Sequence, residues 1–191
     1  QAATWEIVNL STLKVKDLAV PGAAAFVNSL VARGVRILYV TNRANREAAA
    51  VREHLLALGL ACGPADVLTS AQALVAYLRP GTAYVLGEPP LVRVLEAGGF
   101  TLTPERPDYV IASLDRELTY EKLRCAATAI ARGARFVATN PDKGLRVEDE
   151  IIPGVGATLA ALQAVTGVAP QVIGKPEPLI MTMALRQLGL A

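Results

Sequence analysis

The chain has 191 residues, enough to bury a core in one domain or in two small ones. Hydrophobic residues make up 52% and charged residues 19%, which excludes a disordered chain and points to a compact one. The net charge is only +2, from 19 basic and 17 acidic residues, and no Lys/Arg cluster or aromatic-basic stripe accompanies it, so nucleic acid is excluded as a partner.

The opening QAATWEIVNL has no basic segment followed by an apolar stretch, so it does not read as a secretory signal. No apolar run approaches the ~18 residues that span a bilayer. The expectation is a cytoplasmic protein without a membrane partner. EIVNL (6–10) reads as a strand. After Pro21-Gly22, AAAFVNSLVARG has helical spacing that puts Phe26, Leu30 and Val31 on one face, and Gly34 stops it. VRILYV (35–40) is a near-continuous apolar run, suited to a strand buried on both faces of a parallel sheet. A helix follows over 44–59.

Another helix begins near Thr69, with Thr69 or Ser70 as its cap. Strands are then expected at 83–87, 108–113 and 134–140, with helices between them, the one over 119–132 capped by Thr119. PDKGLRVEDEIIPGVG (141–156) lacks periodicity and reads as a long polar loop. Pro153 to Val165 is helical, QVIG (171–174) is a short strand, and Glu177 to Leu188 is a last helix. Such strand–helix alternation predicts an α/β fold with parallel sheet.

In open α/β sheets, ligands bind beyond the carboxyl ends of the strands. After VRILYV come Thr41, Asn42 and Arg43, where a hydroxyl and main-chain N–H groups can hold a phosphate. The alternative is that Thr41 or Asn42 merely caps the following helix. After QVIG comes Lys175, locked between Gly174 and Pro176, a compact charge suited to a phosphate or carboxylate. Its alternative is a solvated surface lysine. After RFVATN come Pro141 and Asp142. The glycines of PGVG (153–156) lack the third glycine of a dinucleotide fingerprint and read as a tight helix entry. His54 reads as a helix-surface residue. Cys62 and Cys125 form no CxxC pattern and read as two reduced thiols.

The ordered segments VPGA (20–23), ARGVRILYVTNR (32–43), LTSAQALVAYL (68–78), AYVLGE (83–88), PDYVIASLDRELTYEKL (107–123), GARFVATNPD (133–142), PGVGATLAAL (153–162) and VIGKPEP (172–178) carry a resemblance. Together they resemble the NagD-like, 4-nitrophenylphosphatase branch of the haloacid dehalogenase (HAD) superfamily, over most of the chain from Val20. The resemblance implies a Rossmann-like HAD core with a parallel sheet at 1–67 and 157–191, and an inserted α/β cap domain at 68–156. It implies Thr41, the Asn42 amide and Arg43 as phosphate-binding groups. Lys175 would balance the charge of nucleophile and phosphate, and the cap loop of Asn140, Pro141 and Asp142 would face the substrate. The family reaction is Mg²⁺-dependent hydrolysis of a small phosphomonoester through an aspartyl-phosphate. The implied partners are a small phosphorylated metabolite and, through the cap helices, a second copy of the chain.

The family's nucleophile motif is DxDG after the first strand. The matching stretch here, IVNLSTLKVKD (7–17), holds neither aspartate, and Asn9 and Ser11 stand nearest the two positions. Asp17 lies too far on to substitute. The family's closing strand and its GDxxxTD metal motif have no counterpart in 1–191, which leaves the core sheet incomplete at its C-terminal side and EIVNL at an open edge. Three functional expectations follow: a phosphatase impaired in turnover, a non-catalytic binder or regulatory protein that keeps the phosphate pocket, or a truncated fragment of a phosphatase.

Overall fold

Successive side chains of the apolar run RILYV point to opposite sides of the sheet, and both sides are covered by helices. The computed structural model describes residues 5–9, 20–147 and 149–190. A first sheet holds β1 (Trp5–Asn9), β2 (Arg36–Thr41) and β3 (Val67–Thr69), parallel and in that order. On one face of β2, Ile37 and Tyr39 pack with Val27 and Leu30 of α1 (Ala23–Ala32) and with Val51 and Leu55 of α2 (Ala48–Ala57). On the other, Leu38 and Val40 pack with Leu74 of α3 (Ser70–Tyr77) and with Ile180 and Ala184 of α7 (Pro178–Gln187).

A second, larger sheet has the order β10-β7-β6-β4-β5, all neighbours parallel. Its strands are β4 (Thr82–Leu86), β5 (Thr101–Leu102), β6 (Tyr109–Ala112), β7 (Arg135–Ala138) and β10 (Gln171–Val172). Period-2 alternation again decides which helices each face receives. Ile111 and Val137 face Leu91 and Leu95 of α4 (Pro89–Ala97). Val110, Ala112 and Phe136 face Ala126 and Ile130 of α5 (Tyr120–Ala131) and Leu159 and Leu162 of α6 (Val155–Thr166). The architecture is α/β with parallel sheets, as the element order predicts. Within the C-terminal stretch, α6 and β10 pack with the second sheet, and α7 returns to β2.

Three local expectations change. The buried face of α1 is Val27 and Leu30, at 3% and 7% exposure, whereas Phe26 and Val31 are exposed at 54% and 39%. The helix AAAFVNSLVA is apolar almost all round, so periodicity could not choose the stripe. The segment 141–156 is not a loop: it forms an antiparallel hairpin of β8 (Gly144–Val147) and β9 (Glu150–Pro153). Asp142 and Lys143 ahead of β8, with Asp149 and Glu150 at the turn into β9, leave apolar runs too short for a readable period. Strands β3 and β5, three and two residues long, carried too few side chains for a readable period.

Thr69 caps α3 in a full capping box: Gln72 N–H donates to Thr69 Oγ1 (3.2 Å), and Thr69 N–H donates to Gln72 Oε1 (2.9 Å). Thr69→Ala is expected to cost about 1–2 kcal/mol, read as a shift in the urea midpoint; an unchanged midpoint would contradict the capping assignment. Among the described residues, no helix is long and apolar enough to cross a membrane.

Candidate functional site

The first sheet brings three strand ends to one edge. Asn9 closes β1 in register with Val40, and Thr41 closes β2 in register with Thr69 of β3. Thr41 is 6% exposed, and its Oγ1 accepts the Arg43 N–H (3.2 Å). That bond shapes a turn ahead of the next helix. Helix α2 starts only at Ala48, with Glu47 at its N-cap position, so neither Thr41 nor Asn42 caps it.

Lys175 arrives at this edge from the second sheet. Beyond β10, Ile173 N–H donates to Ala138 O (2.9 Å) and Gly174 N–H to Thr139 O (3.0 Å), so the chain runs beside the end of β7 until it meets β2. There Lys175 Nζ donates to Val40 O (3.1 Å), the carbonyl next to Thr41. Lys175 is half-buried, and burial lowers its ammonium pKa, while the nearby Asp142 carboxylate pulls it back up. It is therefore not a solvated surface lysine. The Lys175–Pro176 peptide is cis, and Pro178 opens α7 at its first turn.

Gly174 is where close approach demands the smallest residue. A Cβ there would collide with Thr139 O and stand 2.5 Å from Asn42 Oδ1. The Asn42 side chain is committed to Lys175: its Oδ1 accepts Lys175 N–H (2.8 Å) and its Nδ2 donates to Lys175 O (2.9 Å). This leaves its main-chain N–H as the amide that an anion could use. Arg43 is the next residue of the same turn.

The segment Asn140, Pro141 and Asp142 leaves β7 alongside. Asn140 is 7% exposed. Its Nδ2 donates to Asp142 Oδ2 (2.6 Å), and its Oδ1 accepts from Thr139 Oγ1 (3.0 Å), which also lies 3.0 Å from Ser113 Oγ. Gly156 N–H donates to Asp142 O (2.8 Å) and Gly154 N–H to Lys143 O (3.0 Å). The glycines of PGVG thus let the loop press onto the start of α6, where a Cβ on Gly156 would sit 2.6 Å from Pro141 O.

Thr41, Asn42, Arg43, Lys175 and Asp142 therefore converge, with Asn140 behind them. Ser11 lies outside the described residues, and Asn9 is placed by its backbone at the same edge. A hydroxyl, main-chain amides and a lysine suit an anion. Mg²⁺ is usually held through one or two carboxylates together with waters and substrate phosphate; among the described residues no group of three His, Cys, Asp or Glu side chains lies together, and Asp142 is the carboxylate that acts on Lys175 at this edge.

His54 sits half-buried on α2, away from this edge. Cys62 is buried and free, its thiol pushed up to about 11 chiefly by burial, and Cys125 is a free, half-exposed residue of α5. In the sequence Ser70 stands out only as an alternative cap of α3. It is fully buried, and its Oγ donates to Asn42 O (2.9 Å); Thr69 takes the capping duty, which frees this hydroxyl. Ser113 and Thr139 were hidden inside strand-like runs.

A family model described as haloacid dehalogenase-like hydrolase matches residues 12–101. An acid sugar phosphatase of Staphylococcus aureus (strain NCTC 8325 / PS 47) is 41% identical over 176 residues, which cover 90% of this chain and 68% of that protein. The crystal structure of a double-mutant thermostable NPPase from Geobacillus stearothermophilus superposes with a TM-score of 0.91 at 34% identity, covering 98% of this chain and 76% of the other. NagD from E. coli K-12 superposes with a TM-score of 0.88 at 32% identity, covering 96% and 74%.

Proposed function

The chain belongs to the haloacid dehalogenase-like hydrolases, among their phosphatases, and on that premise we propose that it binds the phosphoryl group of a small phosphorylated metabolite at Thr41, the Asn42 main-chain amide, Arg43 and Lys175. The observation that carries this reading is the meeting of two distant segments: Lys175 Nζ reaches the carbonyl of Val40, one residue from Thr41. A buried hydroxyl, fresh amides and a lysine at one strand edge complement the charge of a phosphate and its preference for fixed donors.

In this reading residues 1–67 and 157–191 form the phosphate-binding unit and 68–156 is an inserted cap, with α6 packed on the cap sheet and β10 joined to its edge where the chain returns. Asn140, Pro141 and Asp142 face the bound ester from the cap side. The implied homodimer forms through cap helices. Sugar and nitrophenyl phosphates, which the relatives' names indicate, are the first ligands to try.

Hydrolysis is a separate matter. Asn9 and Ser11 stand nearest the positions of the family's two acids. A neutral amide is not an effective nucleophile toward phosphorus, and a serine hydroxyl does not replace a carboxyl as acid and base. We therefore read this chain as a phosphate-ligand binder or regulatory relative with turnover impaired or lost. The test is 4-nitrophenyl phosphate hydrolysis with and without Mg²⁺. The expected rate equals buffer under both conditions. A Mg²⁺-dependent rate above buffer would overturn the impairment and restore the phosphatase as the chain's own activity.

A further inference from the structure

Asn42 stands where three segments of chain meet. Its own main chain leaves the end of β2. Its carbonyl accepts from Ser70 Oγ (2.9 Å), at the first residue of α3, where the chain sets out toward the second sheet. Its side chain holds Lys175, where the chain comes back. Outgoing and returning passages are thus both tied to one residue beside Thr41.

The side-chain geometry is that of a peptide pair. The carboxamide offers one acceptor and one donor in a plane, and both are used on the two main-chain groups of Lys175, at 2.8 Å and 2.9 Å. Gly174 has no Cβ to hold Asn42 Oδ1 away. Lysine's four-carbon stem is flexible, and an ammonium is a point charge without a directional fork. Where that charge can stand is therefore set by where its main chain is fixed, and the tether from Nζ to Val40 O then closes a short loop back to the residue before Thr41.

We propose that the Asn42 side chain is a positioning residue: it clamps the main chain of Lys175 so that the ammonium stands at the Thr41 turn, and it thereby ties the affinity of the anion site to the crossing between the two sheets. The proposal rests on the phosphate-binding reading for its functional consequence. The clamp itself can be read without a ligand.

The experiment compares Asn42→Ala with the wild type by two readouts. Hydrogen exchange of segment 172–175 is measured against the β6 segment 109–112, and inorganic phosphate affinity is measured by calorimetry. Exchange at 172–175 should rise about thirtyfold, the factor that two lost hydrogen bonds of about 1 kcal/mol each imply, while 109–112 stays unchanged. Phosphate should bind more weakly, by up to about thirtyfold on the same reckoning. Ser70→Ala removes only the tie to the Asn42 carbonyl and should leave both readouts closer to wild type.

Unchanged exchange at 172–175 overturns the clamp. Equal loosening at 172–175 and 109–112 also overturns it, because the residue would then be a general structural support. Loosening confined to 172–175 with phosphate affinity unchanged overturns the link to the anion site and leaves the phosphate reading standing. A wild type that binds no phosphate, with loosening still confined to 172–175, keeps the clamp and removes the phosphate reading.

Discussion

A Gly174→Ala variant is expected to lose on the order of 3 kcal/mol of stability, or to fail to accumulate as folded protein. The added methyl group would collide with Thr139 O and lie 2.5 Å from Asn42 Oδ1. Neither neighbour can yield cheaply. Thr139 O already accepts Gly174 N–H in the run that extends the β10–β7 pairing, and Asn42 Oδ1 is held by Lys175 N–H. Moving either breaks hydrogen bonds where the returning chain is joined to the ends of both β7 and β2. Gly34→Ala is the comparison. Gly34 has a left-handed φ of 78°, but a methyl group added there would meet nothing within 4 Å, so the change should cost only about 1 kcal/mol, from backbone conformation alone. Urea unfolding of both variants decides: a Gly174→Ala cost equal to or below that of Gly34→Ala would contradict the close approach.

The Lys175→Met variant is expected to lose most affinity for inorganic phosphate, at least about thirtyfold, which is what removing a charge-assisted contact of about 2 kcal/mol implies. It should do so without losing stability at neutral pH. Methionine keeps much of the apolar stem, and burial disfavours the charged form of the lysine it replaces. The sign follows from linkage. The ammonium's folded pKa lies below its unfolded value, so the unfolded state binds more protons between the two. The cost of burying the charge is fully present below the folded pKa and is relieved as pH rises toward the unfolded value. Wild-type stability relative to Lys175→Met should therefore rise with pH in the alkaline range below the ordinary lysine pKa. A fall in that difference would contradict the burial of the ammonium, and phosphate affinity equal to wild type would show that Lys175 does not stand at the anion site.

Much of this arrangement was legible because the strongest signals were local and repeated. RILYV could only be a strand buried on both faces, and its neighbours Thr41 to Arg43 had to emerge at a strand end. Gly174 and the two prolines around Glu177 mark a rigid turn in the sequence itself. What stayed hidden was of another kind. The clamp from Asn42 to Lys175 joins residues 133 positions apart, and nothing in either segment announces a side chain paired to a distant main chain. The sheet that receives β10 was equally unreadable, since two residues of strand fit either sheet and only packing decides. In α1 the surplus of apolar residues erased the stripe, and in the hairpin the charged residues before and between the strands concealed them. Thr69 and Ser70 could both be named as caps, but only the geometry shows that the first caps and the second reaches Asn42.

The phosphate pocket at the end of β2 is the claim that everything functional here depends on, and a titration of inorganic phosphate into the wild type, followed by melting temperature, tests it most directly. Saturable binding should raise stability by about 2.7 kcal/mol when phosphate reaches one hundred times its dissociation constant, and the rise at that concentration should fall to about a third or less in Lys175→Met and shrink in Thr41→Val. A melting temperature that does not move at millimolar phosphate, or a shift of wild-type size in both variants, would contradict a pocket at this edge.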